Sequence, residues 1–151
     1  MSTSMMNTVS EEQTTITPKY APEWPATFDD VGVKQWVHDY YSAIDNKEAS
    51  PQAVVDLFTD DAVIELGRRR IDRATMLRAS RSSWDDAESR QHNPQYAYPL
   101  GNDTYLIEGS ATYVYKSGRS MTFEWCGKLH LVRNDDKWKI DYYRTYFATE
   151  Y

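Results

Sequence analysis

From residue 89 onward the chain offers almost nothing but strands. The segments 89–98, 103–116, 119–133 and 137–149 alternate apolar and polar residues and are parted by short turns bearing Gly, Asn, Asp or Ser, which is how consecutive antiparallel strands joined by hairpins read. A sheet of this length must bury one face, and the cover has to come from the N-terminal half. There Asp29-Asp30 can cap a helix, and in VGVKQWVHDYYSAIDN the residues Val33, Trp36, Val37, Tyr40, Tyr41 and Ile44 recur at helical spacing. Ser50-Pro51 suits the start of a second helix, with Val54, Val55 and Phe58 on its buried side. DAVIEL (61–66) reads as a short strand stopped by Gly67, and Asp72 can cap a third helix, RATMLRASRSSWDD, burying Met76, Leu77, Ser80 and Trp84. The expected fold is α+β: three N-terminal helices packed in the concave face of a curved antiparallel sheet. Such a sheet encloses a cone-shaped cavity, a frequent kind of ligand site. Residues 1–28 are polar, Pro-interrupted and aperiodic, and read as a flexible tail to which Trp24 and Phe28 add apolar anchors; the domain is expected over 29–151.

Composition narrows the function. Five Trp and twelve Tyr among 151 residues are a large aromatic supply, suited to a pocket wall because each ring pairs apolar area with a polar handle. A net charge of −6 argues against a general nucleic-acid binder. The basic stretch Arg68-Arg69-Arg70, with Arg73, Arg78 and Arg81, is interleaved with or followed by Asp72, Asp85, Asp86 and Glu88, as on a solvated, salt-bridged face. The single cysteine, Cys126, excludes an intramolecular disulfide and fits a reducing compartment. His38, His92 and His130 are scattered with no Cys/His cluster, so no metal site is expected. No run approaches a membrane span or a signal-peptide core, and the expectation is a soluble cytoplasmic protein.

Two stretches carry a family resemblance: YYSAIDNKEASPQAVVDLFTDDAVIEL (40–66) and SGRSMTFEWCGKLHLVRNDDKWKIDYYRTYF (117–147). They resemble the nuclear transport factor 2-like superfamily and, within it, the SnoaL-like group of polyketide cyclases, scytalone dehydratases and ketosteroid isomerases, over about residues 30–149. The resemblance implies a homodimer and a cofactor-independent pocket for an apolar, oxygenated small molecule, in a setting of secondary metabolism. The fold hosts many chemistries.

Strand parity decides which side chains would face that pocket. A two-residue turn at Ser117-Gly118 sets Ser110 opposite Trp125, Thr112 opposite Phe123 and Glu108 opposite Gly127, and the matching positions in the similar families line the pocket. In the last hairpin, a two-residue turn at Asp135-Asp136 would turn Arg144 inward, which Trp138 and Ile140 favour. A three-residue loop with a bulge would turn Tyr143, Thr145 and Phe147 inward, which the resemblance implies, with Arg144 on the outer face. Glu124 and His130 are expected on that outer face too.

Ketosteroid isomerase carries its base at the position of Leu66 and a protonated Asp at that of Gly127, neither matched here, while Tyr40 falls where that enzyme has its oxyanion-binding Tyr. Limonene epoxide hydrolase uses an Asp–Arg–Asp set at positions matched by Ser110, Glu108 and Thr145, and its water-holding Tyr and Asn correspond to Ile64 and Leu66. AIDNKE (43–48) and SRQHN (89–93) resemble the segments where scytalone dehydratase places an Asp and a His, here Asp45 and His92. The candidate catalytic set is therefore Tyr40, Asp45, His92 and Glu108. The candidate pocket wall is Ile64, Leu66, Met76, Ser110, Thr112, Phe123, Trp125, Tyr143, Thr145 and Phe147. Isomerisation, cyclisation or dehydration by general acid–base chemistry is the expected activity, with Glu108 or His92 as base and Tyr40 or Tyr143 as acid or oxyanion donor. A non-catalytic binding module and a protein-interaction domain are the alternatives.

Overall fold

Asp30 opens the first helix: its carboxylate accepts the Val33 N–H at 3.0 Å, and α1 then runs Val31–Asp45. The computed structural model describes residues 19–49 and 51–148, so the expected tail over 1–18 and the Ser50 cap lie outside the described residues. Two shorter helices follow, α2 (Pro51–Val55) and α3 (Arg73–Ser82), the latter capped by Asp72, which accepts from the Thr75 N–H at 2.8 Å. The strands are β1 (Phe58–Leu66), β2 (Arg69–Ile71), β3 (Ala87–Gly101), β4 (Thr104–Tyr115), β5 (Ser120–Asn134) and β6 (Lys137–Phe147). They form one curved sheet in the order β2-β1-β6-β5-β4-β3.

The expected α+β cone is present, with one correction. β1 pairs with β6 in parallel, so the sheet is mixed rather than wholly antiparallel. A parallel neighbour needs a long crossover, and nothing in DAVIEL shows which strand it will join.

Register is corrected in both distal hairpins. The β4–β5 connection is a three-residue loop, Lys116-Ser117-Gly118, with Gly118 at φ 92°, a conformation glycine adopts without strain. Glu108 therefore pairs with Cys126, Ser110 with Glu124 and Thr112 with Thr122. The inner face of β4 is instead Ile107, Gly109, Ala111 and Tyr113, across from Phe123, Trp125 and Gly127. The β5–β6 turn does have two residues, Asp135 and Asp136, both at positive φ (54° and 65°), as a type I′ hairpin requires. A bulge then shifts the register between Leu131↔Ile140 and His130↔Tyr142, leaving Asp141 as the extra residue. Ile140 below the bulge and Tyr143 and Thr145 above it are all buried on the inner side, and Arg144 lies outside against the Tyr146 ring, 4.8 Å away.

Helix α1 buries Val33, Val37, Tyr40 and Tyr41 against Phe58, Ile64, Leu129, Leu131 and Ile140. The segment before it packs on the domain: Glu23 exchanges backbone hydrogen bonds with Gln95 and Ala97 (2.8 and 3.0 Å), and Trp24 stacks on Phe28 at 4.6 Å. Helix α3 buries no residue fully. Its inner side instead walls an open space.

Candidate functional site

That space is a cavity of about 210 Å³ between α1, α3 and the inner face of the sheet. Its walls are chiefly rings: Tyr40 and Tyr41 from α1, Tyr113 from β4, Phe123 and Trp125 from β5, Tyr143 and Phe147 from β6. Leu66, Met76 and Thr145 also line it. Sites for drug-sized ligands run to roughly 300–1,000 Å³, so this one has room for no more than a molecule of one or two rings.

Polar chemistry is confined to a few points. His92, on β3, projects into the cavity next to the C-terminus of α1. Its ring Nδ1 meets Asp45 Oδ1 at 2.6 Å, and its backbone N–H donates to Asp45 Oδ2 at 2.6 Å. Asp45 holds both donors while its side chain is only 4% exposed. A carboxylate buried on Nδ1 makes that nitrogen the N–H and leaves Nε2 as the basic lone pair. Tyr20 lies nearby, and burial followed by the Asp45 carboxylate pushes its phenol up to about 12.

Two residues before His92 on the same strand face, Arg90 is also buried. Its guanidinium donates to the Ile44 carbonyl and to Ser83 Oγ, and lies 4.2 Å over the Trp84 ring. It thus tethers the last turn of α1, which carries no cation of its own. On the facing wall, the Tyr143 oxygen interacts with the Tyr40 and Thr145 hydroxyls, which favour its anionic form, although burial dominates and raises it. Gly127 makes room for this ring: an added Cβ would meet the Tyr143 hydroxyl at 3.4 Å. The Tyr41 hydroxyl is buried with no hydrogen-bond partner among the described residues.

Glu108 lies on the other side of the sheet, accepting from the Tyr98 hydroxyl at 3.0 Å. Ser110 and Thr112 are also outside. Ser110 reaches the interior only through its carbonyl, which accepts from Trp125 Nε1 at 2.8 Å, and the Thr112 hydroxyl bonds that of Thr122 at 2.9 Å. Ile64 is fully buried beside Tyr143 and behind the wall. Arg90, Tyr41 and Tyr113 were not singled out from sequence as site residues. The signal for Arg90 was its two-residue spacing from His92 in a strand. Among the described residues no group of three or more His, Cys, Asp or Glu could hold a metal, and no helix is long and apolar enough to cross a membrane.

A helix-filled cone with a mixed, unclosed six-stranded sheet and a cavity at its mouth decides the architecture. The chain has the nuclear transport factor 2-like fold. Nuclear transport factor 2 from Cryptosporidium parvum superposes with a TM-score of 0.62 at 15% identity, covering 84% of this chain and 99% of that one. A ketosteroid isomerase-like protein from Erwinia carotovora atroseptica SCRI1043 gives 0.61 at 15% identity, over 82% and 100%. A scytalone dehydratase-like protein from Novosphingobium aromaticivorans DSM 12444 gives 0.60 at 12% identity, over 78% and 83%. No protein-family model matches the sequence, and no curated protein does. At these identities the likeness to nuclear transport factor 2-like structures speaks of fold alone.

Burial holds the phenols of Tyr40 and Tyr41 well above the ordinary tyrosine value and raises that of Tyr143. At neutral pH all three are therefore donors, not bases. The same displacement sets the alkaline stability. Above about pH 10 the unfolded chain gives up phenolic protons that the folded state retains. The unfolded state then binds fewer protons, so stability falls as pH rises. A spectrophotometric titration at 295 nm should show these phenolates appearing together with loss of near-ultraviolet circular dichroism. Their ionisation near pH 10 in a folded protein would contradict the packing described.

Proposed function

We propose that this chain is a cofactor-independent enzyme that moves a proton on a one- or two-ring carbonyl compound, giving isomerisation, cyclisation or loss of water. The observation that carries the reading is the His92–Asp45 pair, oriented with Nε2 toward an aromatic cavity. Nε2 takes a proton from the carbon next to the substrate carbonyl. The C–H electron pair becomes the carbon–carbon double bond of an enolate, and the carbonyl oxygen gains the charge. Asp45 stabilises the imidazolium so formed, and the Tyr143 O–H, backed by Tyr40 and Thr145, donates to the oxygen. The imidazolium then returns its proton to another carbon of the enolate, to a hydroxyl that leaves as water, or, where the enolate carbon has closed a ring onto a second carbonyl of the substrate, to the oxygen that receives that carbonyl's π electrons.

Glu108 has no part in this scheme because it faces away from the cavity. The fold shared with ketosteroid isomerase-like and scytalone dehydratase-like proteins supports proton-transfer chemistry without specifying a substrate. The test is hydrogen–deuterium exchange at the α-carbons of 2-tetralone and a panel of one-ring ketones, followed by NMR in D₂O. The protein should accelerate exchange, and His92→Ala should remove about 10²–10⁴-fold of that rate. No acceleration across the panel, or an undiminished rate in His92→Ala, would sink the reading.

A further inference from the structure

Arg90 is a buried cation whose close partners are all neutral. Its side chain meets the Ile44 carbonyl, the Ser83 hydroxyl and the face of Trp84, and it stands opposite Tyr113 in the β3–β4 register, both lining the cavity. No carboxylate among the described residues lies within ion-pair distance of it. The acid whose charge reaches it is Asp45, both of whose oxygens are already taken by His92. Burying a charge without a counter-ion costs several kcal/mol, so the site is incomplete as it stands. If Arg90 served only to tether α1, a neutral donor on the Ile44 carbonyl would do that at lower cost.

The guanidinium also borders the cavity. Its fork geometry suits a planar, bidentate anion. Along β3, residues two apart on one face are separated by about 7 Å, roughly the width of one aromatic ring plus a substituent.

We propose that the cavity is selective for a flat aromatic acid, whose carboxylate binds Arg90 and Tyr113 while the carbon to be deprotonated lies at His92. This rests on the proton-transfer reading for the second contact only; the first is a binding property. The carboxylate supplies the missing counter-charge and fixes the ring in one orientation. The remaining contacts are rings stacked around it, chiefly Trp125, Phe123 and Phe147.

Calorimetric titration with 2-naphthoate and with its neutral isostere 2-naphthamide tests this without turnover. The wild-type protein should bind the acid at least about tenfold more tightly, as expected for a charge-assisted bidentate contact over a neutral one. Arg90→Gln should bring the two ligands to parity, and Arg90→Lys should keep part of the preference. His92→Ala should retain it. Equal binding of the two ligands by the wild-type protein overturns the proposal even if Arg90→Gln does not fold, and so does a preference lost in His92→Ala but kept in Arg90→Gln. A preserved preference with no deuterium exchange would leave this assignment standing and remove the catalytic one.

Discussion

Replacing Gly109 with alanine is expected to lower the melting temperature by roughly 10 °C. A Cβ at this position would lie 2.1 Å from the Asn93 carbonyl oxygen and 2.8 Å from the Pro94 Cα. Both are backbone atoms, so no rotamer change relieves the overlap. The cause is the irregularity in β3, whose register with β4 shifts between Pro94 and Tyr96 and presses that strand onto its neighbour. Proline in a strand interior goes with such a bulge because it cannot donate to the ladder. Overpacking typically costs about 1–3 kcal/mol. A clash with backbone belongs at or above the top of that range, and about 3 kcal/mol corresponds to the stated shift in a chain of this size. Thermal unfolding followed by circular dichroism measures it. An unchanged melting temperature would mean that β3 does not lie against Gly109 as described.

The second large effect is expected at Asp45. Asp45→Asn keeps a side-chain oxygen to accept one of the His92 donors but removes the charge that opposes the imidazolium and fixes the tautomer. Ketone exchange should fall by about 10²–10⁴-fold, the range for losing a positioned proton-transfer group, with the fold preserved. Asp45→Ala should cost stability as well, because the His92 backbone N–H and its ring Nδ1 both lose their acceptor. An orphaned buried donor costs about 1–3 kcal/mol. Exchange kinetics and melting curves on both variants separate the two duties. If Asp45→Asn exchanges at the full rate, this carboxylate only caps and tethers.

What could be read in advance follows from how locally each feature is encoded. Helix α1 was legible in its caps and period, since both are set within a few residues of chain. The sheet was legible as a set of strands, but the side chains that face its cavity depend on single-residue events. The loop after β4 has three residues, not two, and that alone moves Glu108, Ser110 and Thr112 from the expected wall to the outer face. The two-residue turn at Asp135-Asp136 is legible in its own residues, but the bulge falls within the strand at Asp141 rather than at the loop. The resemblance pointed to Tyr143, Thr145 and Phe147, the residues that do line the cavity, because a shared fold includes its irregularities and local strand arithmetic does not. Arg90 went unremarked because its meaning is electrostatic. Only in three dimensions is it evident that no carboxylate among the described residues comes to meet it.

Asp141 also makes β6 two strands in one. Below it, the alternation delivers Trp138 and Ile140 to the hydrophobic core; above it, a frame moved by one residue delivers Tyr143, Thr145 and Phe147 to the cavity. The part of the strand that keeps the protein folded and the part that walls the cavity are therefore written in separate frames. Inserting one residue just after it would present Tyr142, Arg144 and Tyr146 to the cavity while the core below kept its pattern. A lineage carrying this fold thus has a way to exchange an aromatic wall for a cationic one in a single genetic step, without redesigning the interior that supports it.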